Sequence, residues 1–146
     1  MFSDEHYMRQ ALREAEVAFA AGEVPIGAVV VVRNRIIGRG HNQVERLQDA
    51  TAHAEMLAIT AASDYLGSKF LNECTLYVTI EPCVMCAGAL QWVRVGRIVF
   101  GAGEPKFGYQ RYGSGLLHPK TEIIGGILSD ECSALMREFF RSRRER

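Results

Sequence analysis

Residues 26–32 read Ile-Gly-Ala-Val-Val-Val-Val, a continuous apolar run dominated by β-branched side chains. A strand with one wet face alternates polar and apolar residues. A run with no polar position reads as a strand covered on both faces. The fold must therefore supply a layer on each side of a sheet. The rest of the chain offers the pieces. Residues 4–20 read as a helix: Ser3 can cap it, Asp4 and Glu5 fill its first turn, and Met8, Leu12, Ala15 and Phe19 recur at helical spacing. Gly22 ends it. After the β-branched run, "RNR" turns the chain and "IIGRGHN" (36–42) returns as a second strand. A helix is expected from about 52 to 65 and a third strand over "CTLYVTI" (74–80). Pro82 then opens a short helix to about 93. "RIVFGA" (97–102) and the shorter "TEIIGGI" (121–127) give the fourth and fifth strands. In the last helix Ser129 reads as the cap, with Asp130 and Glu131 in the first turn. Cys132, Leu135, Met136, Phe139 and Phe140 form its apolar stripe. Strands alternating with helices late in the chain imply a sheet that is at least partly parallel.

A chain of 146 residues fits one domain with one core, and 48% apolar with 23% charged residues is ordinary for a soluble globular protein. The first ten residues carry acids and polar groups where a signal peptide needs a basic start and an apolar run. No apolar stretch approaches the roughly 20 residues that span a bilayer. The expectation is a cytoplasmic protein with no membrane partner. Seventeen basic and seventeen acidic residues cancel, which argues against binding nucleic acid by bulk charge. A local exception is the tail "FFRSRRER", with four arginines and one glutamate. It reads either as a solvated helix end, where cations suit the dipole, or as a polyanion contact.

Two short stretches carry the chemistry. "TAHAEM" (51–56) places His53 and Glu55 two apart at a helix start, and "EPCVMCAGAL" (81–90) places Cys83 and Cys86 three apart. On a helix, His53 and Glu55 point about 200° apart, yet at its N-terminus both can border one cavity. Cys83 and Cys86 share a helix face, and the N–H groups and dipole at that helix start favour thiolate. Two thiolates and an imidazole suit Zn²⁺, with Zn–S about 2.3 Å and Zn–N about 2.0 Å. Three protein ligands leave a tetrahedral ion one open position, the mark of a catalytic site. Cys74 and Cys132 read as inert core thiols, and His6, His41 and His118 lack ligand spacing. The open position suits water, whose pKa zinc lowers from roughly 16 to about 7. Glu55, beside the metal but not bound to it, can take and return the proton. Taken singly, His53 reads as a core histidine, the cysteines as a redox pair or half a structural site, and Glu55 as an exposed charge. The joint pattern is hard to obtain by accident.

That pattern resembles the zinc-dependent cytidine deaminase superfamily, with its H-x-E…P-C-x-x-C signature. Within it the chain resembles the bacterial tRNA-specific adenosine deaminases, over "EVPIGAVVV", "GHN", "TAHAEM", "TLYVTIEPCVMCAGAL", "GRIVFGA" and "GILSDECSALMREFFRSRR". The resemblance implies a three-layer α/β/α sandwich around a five-stranded mixed sheet, in one domain over 1–146. It implies hydrolytic deamination of adenosine to inosine at the wobble position of a tRNA anticodon loop, one Zn²⁺ per subunit, and a homodimer whose second subunit helps wall the pocket. Carried over by position, His53, Cys83 and Cys86 look like the metal ligands and Glu55 the proton shuttle. Asn42 looks like the contact to the flipped nucleotide, with Ile26 and the backbone around Ala54 lining the base pocket. Arg141, Arg143 and Arg144, with Phe139 and Phe140, would meet phosphates and bases.

One segment departs from the family pattern. In "GEPKFGYQRYGSGLLHPKTE" (103–122), Glu104 stands at the usual aspartate, Lys106 is retained, and "FGYQRY" is bulkier than usual. Glu104 and Lys106 are candidate substrate contacts there. Tyr109, Arg111 and Tyr112 read either as RNA contacts or as an aromatic turn packed on the protein. Two other functions stay open: a deaminase of a free base or nucleoside (guanine, cytosine or adenosine) on this fold, and a zinc-stabilised RNA-binding or scaffold subunit. Glu55 argues against the second, since a structural site has no use for a carboxylate there.

Overall fold

The computed structural model describes residues 1–113 and 115–144. Ser114 of the 103–122 loop and Arg146 of the arginine tail lie outside the described residues. Helix α1 (Asp4–Ala20) leads into a hairpin of β1 (Gly27–Val32) and β2 (Arg35–His41). The hairpin turns on Arg33 and Asn34, both at positive φ (46° and 63°), the backbone that matches strand twist in a two-residue turn. A short α2 (Val44–Leu47) precedes α3 (Ala54–Leu66). Then come β3 (Thr75–Ile80), α4 (Val84–Trp92), β4 (Arg97–Ala102), a 3₁₀ turn (Tyr109–Tyr112), β5 (Glu122–Ile124) and α5 (Ser129–Arg144).

The sheet runs β2-β1-β3-β4-β5. β1 pairs antiparallel with both β2 and β3, whereas β3–β4 and β4–β5 are parallel. The all-apolar β1 is buried along its whole length, as its composition requires. Ala28, Val30 and Val32 pack toward α3 and α4, against Ala58, Ile59, Ala62 and Leu90. Val29 and Val31 pack the other way, against Tyr7, Met8 and Ala11 of α1, in the cluster that holds Cys132 of α5. These are the three layers and the five-stranded mixed sheet expected.

Four details differ from the sequence reading. α2 is too short to show a period. α3 starts two residues late, because His53 is its extended N-cap. α5 begins with Ser129 itself rather than being capped by it. β5 keeps three residues, all exposed, because it is an edge with a neighbour on one side only.

An ion pair ties α1 to the sheet. Arg97 reaches both carboxylate oxygens of Asp4, at 2.8 and 2.6 Å, and the Tyr77 hydroxyl donates to Asp4 at 2.7 Å. These contacts, Arg97 foremost, hold the Asp4 carboxyl below its ordinary range against the opposing cost of burial.

The approach of α3 to β2 sets the position of the site. A Cβ on Gly40 would lie 2.3 Å from the Ala54 carbonyl oxygen and 2.8 Å from the Ala58 nitrogen. Both atoms are backbone, so α3 must shift to admit it. Gly40→Ala is expected to cost about 3 kcal/mol, at the upper end for overpacking, and to weaken metal binding because His53 and Glu55 travel with the helix start. Thermal unfolding beside bound-metal stoichiometry checks this. Wild-type values for both would mean that the α3–β2 contact does not fix the site.

Candidate active site

His53 is the N-cap of α3 and Cys83 the N-cap of α4. The His53 side chain makes no capping bond to its own helix, and both side chains face the space between the two helix starts, where they meet. Cys86 lies one turn into α4, fully buried. The three meet: His53 Nδ1 is 3.6 Å from Cys83 Sγ and 3.5 Å from Cys86 Sγ. A tetrahedral ion with Zn–S and Zn–N bonds of ordinary length sets sulfur and nitrogen about 3.5 Å apart. The donor set and its spacing therefore fit a metal ion. Among the described residues this is the one His/Cys/carboxylate group with that geometry, its ligand atoms within 4.8 Å of one another.

The electrostatics agree. The Cys83 thiol is held down at about 4, first by a hydrogen bond from Cys86, then by His53 against the cost of burial. Cys86 is pushed far up, first by its neighbour Cys83 and then by burial. Cys83 is thus the sulfur favoured as thiolate, the form that binds a cation. The Cys83 sulfur also holds the His53 imidazole above its ordinary value. Glu55 follows His53 by two residues and is 4% exposed. Burial pushes its carboxyl up to about 7, where a group can both take and give a proton at neutral pH.

A cleft of about 1530 Å³ opens over these residues. Ile26 and Asn42 line it together with His53, Glu55 and Cys83. Asn42 is buried, and its Oδ1 accepts from the Ala54 N–H at 2.8 Å, tying the end of β2 to the start of α3. Ala54 itself is fully buried and does not line the cleft. Glu104, Lys106, Phe140, Arg141, Arg143 and Arg144 line it too. Phe139 is core and Phe140 is 42% exposed. Arg141 pairs with Glu138 at 2.6 Å, and Arg143 donates to the Gly22 carbonyl and lies over the Phe139 ring at 4.7 Å. In the 3₁₀ turn Tyr109 packs inward, as an aromatic turn on the protein does, while Tyr112 stays exposed. Cys74 and Cys132 are buried thiols, their pKa values raised first by burial, as core cysteines.

Two site residues escaped the sequence reading. Glu23 is buried and accepts from the backbone N–H groups of Glu45 and Arg46, at 3.0 and 2.8 Å. Glu81 is buried and accepts from those of Glu104 and Gln110, both at 3.0 Å. The available signal was an acid inside an apolar stretch, in "EVPIG" and "VTIEPC". Such an acid needs partners wherever the chain folds.

Comparison with known proteins places this geometry. A tRNA-specific adenosine deaminase of Bacillus subtilis (strain 168) is 46% identical over 151 aligned residues, covering 100% of this chain and 94% of that protein. A solved structure from a study of A-to-I editing by tRNA:A34 deaminases at the wobble position superposes with a TM-score of 0.83. It is 38% identical, covering 89% of this chain and 98% of that one. A guanine deaminase from Nitrosomonas europaea superposes with a TM-score of 0.80 at 27% identity, covering 95% of this chain and 85% of that one. The sequence model of the MafB19-like deaminases matches residues 2–144. That match takes in every strand and helix of the described residues together with His53, Cys83 and Cys86, so the chain belongs to the MafB19-like deaminase family.

Proposed function

We propose that this enzyme hydrolytically deaminates adenosine to inosine at the wobble position of a tRNA anticodon, using one Zn²⁺ held by His53, Cys83 and Cys86. The observation that carries the substrate is the cleft. At about 1530 Å³ it exceeds the roughly 300–1,000 Å³ of ordinary small-molecule pockets, and it runs from the triad to the arginines of α5. It suits a single strand with one base inserted, and an anticodon loop presents unpaired bases at little cost. The relatives that carry the name tRNA-specific adenosine deaminase support the same reading.

Held by His53, Cys83 and Cys86, Zn²⁺ would supply a water activated at neutral pH for addition to C6 of adenine. Glu55 would take one proton of the water and pass it to the ring nitrogen beside that carbon, then carry the second proton of that oxygen to the amino group, which leaves as ammonia as the C6 carbonyl forms. Asn42 has its oxygen committed to Ala54, so its Nδ2 donors face the nucleotide. Ile26 packs on the base, and Arg141, Arg143 and Arg144 meet phosphates, with Phe140 as a stacking face. The proposal places the enzyme in the cytoplasm, with its substrate. Among the described residues no helix is long and apolar enough to cross a membrane. It also includes a homodimer. Val84, Gly88 and Trp92 lie four apart along α4, with Trp92 80% exposed and open space beside Gly88, an apolar stripe for a second copy. A solution mass of one chain would remove the dimer.

The test is inosine formation in an anticodon stem-loop bearing adenosine at the wobble position, with free guanine, cytosine and adenosine in parallel. Removal of residues 141–146 is expected to raise KM for the stem-loop by about tenfold or more, the scale of a few lost phosphate contacts. Ammonia from a free base with the stem-loop untouched would keep the deaminase chemistry and overturn the RNA substrate.

A further inference from the structure

We infer that Glu81 is a positioning residue that latches the 104–110 loop over the mouth of the cleft and thereby sets how tightly substrate is held. It is the last residue before Pro82 and Cys83, and its backbone N–H is bound to Ala102 at 2.8 Å, so β3 and β4 hold it rigidly. Its carboxylate then does one thing at each oxygen. Oε1 accepts from the N–H of Glu104 and Oε2 from the N–H of Gln110. A single charged acceptor thus clamps both ends of a seven-residue loop, and such bonds are stronger than neutral ones.

At its C-terminal end the loop is also anchored by Tyr109, buried in the core, whereas residues 105–107 are exposed. Tyr109 N–H donates to the Pro82 carbonyl at 2.9 Å, and Gly108 forms a bridge with Cys83. The Glu104 side chain accepts from Lys106 N–H, and Arg111 donates to the Lys106 carbonyl, both contacts internal to the segment. Between the clamped ends, Pro105, Lys106 and Phe107 reach the cleft, and Phe107 is 66% exposed. Nothing in this span packs it in place, so the carboxylate beneath fixes where its apex stands.

Gly108 is the counterpart of the latch. A Cβ there would lie 2.4 Å from Glu81 Cδ and 2.4 Å from Oε2. The φ of Gly108 is −65°, which any residue adopts, so alanine is excluded by the carboxylate and by the Glu104 carbonyl rather than by backbone strain. The same contact can therefore be broken from either side. Glu81→Gln keeps the volume but turns one acceptor into a donor facing a donor. Gly108→Ala keeps Glu81 and displaces it.

The test pairs two readouts on full-length protein loaded with zinc. Trypsin cleavage after Lys106 and Arg111, followed by mass, reports the loop without any substrate. Steady-state kinetics on the anticodon stem-loop report its use, and this second arm rests on the function proposed above. Both variants are expected to be cut about tenfold faster at those two bonds, and to show KM about tenfold higher with kcat changed less, the scale of one hydrogen bond to a charged acceptor. Bound zinc should stay at the wild-type level. Wild-type cleavage rates in both variants would overturn the latch. Zinc lost in step with KM would overturn it too, by placing the effect at Cys83. Faster cleavage with KM unchanged would overturn the role in substrate binding. If the wild-type enzyme leaves the stem-loop untouched, the RNA reading falls and the cleavage arm alone decides the latch.

Discussion

Glu55→Ala is expected to fold, to bind zinc and to lose turnover by about a thousandfold, or about 4 kcal/mol of barrier, within the range that a positioned proton carrier contributes. The carboxylate binds no metal in this geometry, so its loss leaves the triad of His53, Cys83 and Cys86 intact. Glu55→Gln separates charge from volume: it fills the same buried space but carries no proton between water and base. Stability should move the other way. Burial raises the Glu55 pKa from 4.5 in an unfolded chain to about 7 in the folded one. Between those values the folded protein keeps a proton that the unfolded chain releases, so metal-free stability falls as pH rises through that window. The glutamine variant lacks this slope and is expected to be the more stable protein at neutral pH. Activity measured beside urea unfolding at several pH values checks both halves. Near-normal turnover in Glu55→Ala would remove the residue from the reaction.

Stripping the metal is expected to abolish activity, with recovery on adding Zn²⁺, and to lower thermal stability. An ion that binds only the folded state adds about 4 kcal/mol when present at a thousand times its Kd. For a chain of this size that is on the order of 10 °C in melting temperature. The structural reason is that His53 and Cys83 head two separate helices, which one shared ion would tie together. Cys86→Ala should behave as the stripped enzyme does, with no recovery on adding metal. Titration of melting temperature against free Zn²⁺, beside the deamination rate, measures the effect. Turnover persisting in protein shown to be free of metal would exclude the ion from catalysis.

What could be read from the sequence follows from how local each cause is. The two-sided burial of β1 is written in seven consecutive residues. Cys83 and Cys86 share a helix face because of their spacing alone. His53 and Glu55 were assigned from the joint pattern, and the structure adds why two residues on different sides of a helix cooperate: one caps it and the other is buried under it. What stayed hidden depends on partners far along the chain. Glu23 serves amides 22 and 23 residues away, and Glu81 serves amides 23 and 29 residues away, so neither leaves a periodic trace. α2 is held by Glu23 rather than by any stripe of its own. The arginine tail was ambiguous for a different reason. In the free protein Arg141 and Arg143 already contact Glu138 and Gly22, which is compatible with both a solvated helix end and a surface waiting for phosphate.

The cleft has a division of labour with a consequence for how such enzymes diversify. His53, Glu55, Cys83 and Cys86 sit at two helix starts braced by the sheet. The other walls come from the segment before β1, the 104–107 loop and the end of α5. Substitutions in those walls can alter which molecule enters while leaving His53, Glu55, Cys83 and Cys86 themselves in place. A library for a new nucleobase or a new RNA context therefore belongs at residues 22–26, 104–107 and 136–144, and a library confined to the helix starts would spend most of its members on dead protein.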